Sequence, residues 1–119
     1  MKDGHGHYVW ADGSQYTGLW RDNKINGLGT YLWKDGRKYY GTWKDNDMHG
    51  YGVYLYNDGV RYDGQYVEDK KQGYGVYYWT DGRKYDGYWY KGKQHGIGIY
   101  VDTNKQSVKY GLWENSKRL

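Results

Sequence analysis

Four histidines and a series of Gly-x-Gly steps are the residues of this 119-residue chain whose types and spacing come nearest to chemistry. His5 and His7 stand two apart, so in an extended segment both rings leave the same face, as a pair of metal ligands would. No cysteine is present and no third ligand stands near them, so no metal site is expected. His49 and His95 each precede a Gly-x-Gly step, in a slot that Asn26 and Gln72 fill elsewhere. An amide serves equally well there, so the slot calls for a polar loop residue rather than a proton-transfer base. Gly27-Leu28-Gly29 and its relatives open onto strand-forming residues, not a helix, and so do not read as phosphate loops. Nowhere do a nucleophile, a base and an oxyanion donor combine. The expectation is a protein that is not an enzyme and that uses no cofactor.

The elements that carry these residues repeat. Tyr16-Thr17-Gly18-Leu19-Trp20 returns as Tyr39-Tyr40-Gly41-Thr42-Trp43, Tyr62-Asp63-Gly64-Gln65-Tyr66 and Tyr85-Asp86-Gly87-Tyr88-Trp89, a period of 23 residues. Gly-x-Gly keeps the same step at Gly4, Gly27, Gly50, Gly73 and Gly96, each followed by a tyrosine at one offset: Tyr8, Tyr31, Tyr54, Tyr77 and Tyr100. A period in this range marks a stacked array whose units cannot bury their surface alone. One domain is expected over 1–119: a partial unit 1–15, full units 16–38, 39–61, 62–84 and 85–108, and a partial unit 109–119.

Asp-Gly lies between the two phrases at Asp12-Gly13, Asp35-Gly36, Asp58-Gly59 and Asp81-Gly82, a strong hairpin signal. The flanking segments are rich in Tyr, Trp, Val and Thr, there is no proline, and no stretch has a helical period. The fold class is therefore all-β: a single-layer antiparallel β-meander of stacked hairpins, roughly ten strands, elongated and curved with an aromatic/glycine trough. Side-chain parity selects the turn. A two-residue turn at Asp35-Gly36 puts Tyr31 and Tyr39 on opposite faces, whereas the three-residue turn Lys34-Asp35-Gly36 unites them and sets Gly29 against Gly41. Large rings need bare backbone to lie over, so the three-residue turn is expected.

Composition fits this picture. With 18 Tyr, 7 Trp and no Phe, rings supply the burial that aliphatics normally provide. The charges, 18 basic against 14 acidic, are interspersed and too mild to imply nucleic acid. No apolar run approaches a spanning helix and no signal-peptide pattern opens the chain, which reads as a soluble, cytoplasmic protein.

The Tyr39 to Gly59 unit resembles the MORN (membrane occupation and recognition nexus) repeat: Tyr-x-Gly-x-Trp, a short polar loop, Gly-x-Gly-x-Tyr, then Asp-Gly. The resemblance covers residues 3–113. Tyr66 in place of tryptophan and the missing Asp-Gly after Tyr100 depart from it. It implies an elongated hairpin array used for protein binding, homodimerisation or scaffolding, often at membrane junctions or cytoskeletal structures, with lipid binding also attributed to the family, or an array appended to a kinase or methyltransferase, in which case the chain is a regulatory fragment of a larger enzyme.

Three surfaces follow as expectations. Tyr16, Trp20, Tyr31, Trp33, Tyr39, Trp43, Tyr54, Tyr62, Tyr66, Tyr77 and Trp89 line a groove for an extended or helical peptide. The reverse face reads as polar early and apolar late, where Tyr74, Tyr78, Tyr88, Tyr90, Ile97 and Ile99 form a second interface suited to a dimer contact. Arg37, Lys38, Arg61, Arg83 and Lys84 follow the period along one edge, with Lys24, Lys70, Lys71 and Lys93 along the other, as rails for an anionic membrane surface or an acidic peptide. The strand nearest the N-terminus has no partner before it, which reads as a fragment of a longer array or an assembly edge.

Overall fold

Sequential hairpins pair in one open sheet in the computed structural model, which describes residues 2–119. Among the described residues there are eleven antiparallel strands in chain order: β1 (Gly4–Val9), β2 (Gln15–Arg21), β3 (Lys24–Leu32), β4 (Lys38–Lys44), β5 (Asp47–Leu55), β6 (Arg61–Val67), β7 (Lys70–Tyr78), β8 (Arg83–Tyr90), β9 (Lys93–Asp102), β10 (Ser107–Glu114) and the two-residue β11 (Lys117–Arg118). The sheet measures 51 × 24 × 18 Å. It is deeper than a flat layer, because twisted strands roll the sheet toward its larger side chains.

The register follows the three-residue turn. Gly29 pairs with Gly41, Tyr31 with Tyr39 and Gly27 with Trp43. The Trp33 amide donates to the Arg37 carbonyl (2.8 Å) and the Gly36 amide to the Trp33 carbonyl (3.1 Å), with Gly36 at φ +98°. Asp35 accepts the Arg37 amide at 3.1 Å and stiffens the turn.

The other end of each hairpin is tighter than a polar loop. Asp22-Asn23, Asp45-Asn46 and Glu68-Asp69 hold two consecutive residues at positive φ, the signature of a two-residue type I′ turn whose twist matches that of its strands. Immediately beyond, pairing jumps from Trp20–Ile25 to Gly18–Gly29, so Leu19 faces three residues of β3. Gly27 absorbs this bulge at φ +98°. The bulge recurs at Gly41/Trp43, Gly64/Tyr66 and Gly87/Trp89. The His49 and His95 slots consequently lie within β5 and β9 beside the bulge, not in loops.

The recurring tyrosines repair the bulge. Tyr16 donates its hydroxyl to the Leu19 carbonyl (3.0 Å), Tyr39 to Thr42 (3.2 Å), Tyr62 to Gln65 (2.9 Å) and Tyr85 to Tyr88 (3.0 Å). Each ring lies flat on the second glycine of the next Gly-x-Gly, and all four are 0 % exposed. Burial pushes the Tyr16 and Tyr85 hydroxyls up to about 12 and raises Tyr39 and Tyr62 likewise, so all four remain protonated donors.

Units are stapled to one another through the tight turns. The Asn46 amide donates to the Ile25 carbonyl (2.9 Å) while its Oδ1 accepts the Ile25 amide (2.8 Å), and Asp69 does the same to Met48 (3.0 and 2.7 Å). Asn46→Ala removes the acceptor and replaces a residue that tolerates φ +73° by one that does so less readily. A loss of about 1–2 kcal/mol is expected, read as a lowered thermal midpoint. Asp69→Asn has the opposite sign. Burial chiefly, with the neighbouring Asp47, raises the Asp69 carboxyl, against the lowering effect of the Met48 amide. A raised carboxyl is a net cost above its folded pKa, a cost that fades as pH falls to the unfolded value. The variant should be more thermostable than the parent at neutral pH and equal to it at acid pH; a deficit at neutral pH rejects this account.

Candidate functional site: an aromatic trough and its reverse

Eighteen rings share one face, as parity predicts. The buried tyrosines are gripped edge-on: Tyr39 between Trp43 (5.0 Å) and Tyr66 (5.4 Å), Tyr62 between Tyr66 (5.2 Å) and Trp89 (5.5 Å), Tyr85 between Trp89 (5.2 Å) and Trp113 (5.1 Å). This ladder is a core without a second layer. Tyr16, Tyr39 and Tyr62 therefore do not line a groove, because the curl of the sheet and the neighbouring indoles cover them completely. Trp20, Trp43, Tyr54, Tyr66 and Trp89 are also buried and form the walls' foundations.

Half-buried rings stand above this core: Tyr31, Trp33 and Tyr77 from the expected set, joined by Trp10, Tyr56, Trp79 and Tyr100, which the sequence reading left out. Tyr31 packs 4.6 Å from Trp33 and 5.2 Å from Trp10, and Trp33 lies 5.4 Å from Tyr54. In the first half of the array they enclose a trough of about 580 Å³, floored by Ile25 and Met48 and edged by Lys2, Arg37 and Asp69. Residues at the Ile25 and Met48 position were missed because no turn type marked it; the signal is the residue facing each Trp20-type ring across the tight turn.

The single basic rail expected along the Asp-Gly edge splits between two faces. Arg37 stacks 5.0 Å over Trp33, donates Nη1–H to the Tyr54 hydroxyl (3.1 Å) and Nε–H to Asp35 (2.8 Å). Arg83 repeats this with Trp79 (5.0 Å), Tyr100 (3.3 Å) and Asp81 (2.7 Å). The backbone amide and guanidinium of Arg37 hold the Asp35 carboxyl below its usual range, and Arg83 does so for Asp81. Lys38, Arg61 and Lys84 project the other way, in register with Leu32, Leu55 and Tyr78. Lys71 likewise leaves its rail and turns into the aromatic face over Tyr62, Tyr77 and Trp89.

The reverse face is apolar along its whole length, not only late. Leu19, Leu28, Leu32, Tyr40, Tyr51 and Leu55 are exposed in the early units, ahead of Tyr74, Tyr88, Tyr90 and Ile97; Tyr78 and Ile99 are half-buried. The expectation of a polar early face overlooked Leu28 and Tyr51, which face Thr42 and Gln65 from the odd-numbered strands. A second groove of about 450 Å³ crosses this face, floored by Gly41, Gly52 and Gly64 and walled by Tyr40, Tyr51, Tyr74 and Tyr78.

The family model of the MORN repeat matches residues 1–15, 16–36, 39–61, 62–82 and 85–107. The chain belongs to the MORN repeat family. MORN repeats are protein- or membrane-lipid-interaction modules, which is the class of function of this array. No curated protein matches the chain. Among the described residues no helix is long and apolar enough to cross a membrane.

Proposed function

We propose that this MORN array is a non-catalytic scaffold that holds an extended or helical segment of a partner protein in its aromatic trough, at a membrane-adjacent or cytoskeletal structure in the cytoplasm. The observation behind this reading is the layer of half-buried rings above a core that is already complete. Trp33 and Trp79 are not needed to close the ladder, yet they present flat apolar surface beside a guanidinium. Such rings make affinity at small entropic cost. Trp33→Ala with Trp79→Ala should leave the thermal midpoint within a few degrees of the parent and lower partner capture by about tenfold or more, as hot-spot truncations do. Capture is read by crosslinking and mass spectrometry in the native source; full capture by the double variant rejects the trough.

A second reading has its own observation. The reverse face carries exposed Leu and Tyr along its centre, with Lys38, Arg61 and Lys84 on one margin and Arg21, Lys24, Lys44, Lys70 and Lys93 on the other. That pattern suits an anionic bilayer surface, or a second copy of the chain at its apolar centre. Sedimentation with phosphatidylserine vesicles, abolished by moderate salt and by Tyr51→Ser with Tyr74→Ser, supports the membrane contact; sedimentation velocity on the free protein reports self-association.

A further inference from the structure

Lys71 stands where the array otherwise keeps a core side chain. Ile25, Met48 and Gln94 hold the equivalent positions, facing Trp20, Trp43 and Trp89 across the tight turns, and all three are buried. Lys71 faces Tyr66 in the same way. Its Nζ lies 5.5 Å from the Trp89 ring centre, 5.7 Å from Tyr62 and 5.8 Å from Tyr77, and donates a 3.4 Å hydrogen bond to the Tyr56 hydroxyl. The three ion pairs among the described residues use Arg37, Arg61 and Arg83, so no carboxylate is paired with this amine. Lys2, at the same position one unit before Ile25, is exposed, which makes it an internal comparison.

An amine in this setting loses hydration and gains no counter-ion. Rings at these distances sit near the outer limit, about 6 Å, at which they attract an ammonium group. Burial lowers the Lys71 pKa accordingly, enlarging the fraction that carries a free lone pair. A desolvated lysine amine beside a protonated hydroxyl is the arrangement that makes imines. Burial raises the Tyr56 hydroxyl, which therefore keeps its proton.

We propose that Lys71 is a covalent capture site for an aldehyde with an apolar, aromatic body. The Nζ lone pair forms a bond to the carbonyl carbon as the C=O π pair moves to oxygen, and transfer of a proton from nitrogen to oxygen gives the carbinolamine. Tyr56 protonates the departing hydroxyl and recovers a proton from nitrogen as water leaves, so one amine and one aldehyde yield one imine and one water. Tyr77, half-buried beside the amine, receives the apolar body.

The probe is naphthaldehyde, with cyanoborohydride supplying hydride to trap the imine, followed by peptide mass mapping at neutral pH. Lys71 should be labelled about tenfold faster than the adjacent, exposed Lys70, because the ring beside it holds the naphthyl body at the amine. Acetaldehyde, which lacks the aromatic body, should show no such preference. Lys71→Met, which copies Met48, should remain folded by circular dichroism and lose the fast labelling. Tyr56→Phe should stay folded and label more slowly at Lys71. Labelling of Lys71 no faster than of Lys70, or equal selectivity with acetaldehyde, overturns the proposal.

Discussion

Gly52→Ala should strongly destabilise the centre of the array. Gly52 has ordinary strand torsions, so the substitution carries no backbone strain; its whole effect is that a new Cβ overlaps the hydroxyl and Cζ of Tyr39. That ring has nowhere to go, because Trp43 and Tyr66 hold its edges and its hydroxyl is bound to Thr42. Overpacking of this kind reaches about 3 kcal/mol, which lowers the melting temperature of a chain this size by about 10 °C. Gly13 supplies the contrast, since a Cβ there meets nothing within 4 Å and leaves only the strain of φ +94°. Pairing Gly52→Ala with Tyr39→Leu should cost clearly less than the sum of the two, because the smaller side chain vacates the contested space. Strict additivity in thermal melts rejects the overlap as cause.

Trp43→Ala should be nearly as damaging, for the opposite reason. The indole closes the ladder between Tyr16 (5.9 Å) and Tyr39 (5.0 Å), and its Nε1–H donates to the Gly29 carbonyl at 3.3 Å. Removing it opens a cavity in a core that has no second layer to collapse inward, at about 3–5 kcal/mol. Trp33→Ala, only ten residues away, deletes the same chemical group from above the core and should cost far less stability. Urea unfolding of the two variants separates them: equal midpoints would show that the distinction between core ring and trough ring is mistaken.

That distinction marks the limit of what was legible beforehand. Because the strand period is two, the parity of Tyr31, Tyr39 and the glycines decides both the face and the three-residue turn, and the register followed. Burial depth did not follow, since Tyr39 and Trp33 share a face and differ only in whether a glycine or another ring lies beneath. The bulge was silent too, because Gly27 at positive φ and Gly29 in strand torsions are the same letter. Missing the bulge hid the position of Ile25, Met48, Lys71 and Gln94, and with it the inward turn of Lys71. The reverse face was misjudged early because Leu28 and Tyr51 become neighbours of Thr42 and Gln65 only through pairing.

The indole that ties Trp20 to Gly6, Trp43 to Gly29 and Trp89 to Gly75 has no counterpart at Tyr66, whose phenol offers no such donor toward Gly52. The joint between β5 and β6, at the middle of the chain, therefore lacks a hydrogen bond that the joints at Trp20, Trp43 and Trp89 carry. Bending of the array should meet less resistance at this seam than at those three, so a curved ligand should be accommodated there before any ring repacks. Under tension along the long axis, this seam should open before the joints at Trp20, Trp43 and Trp89.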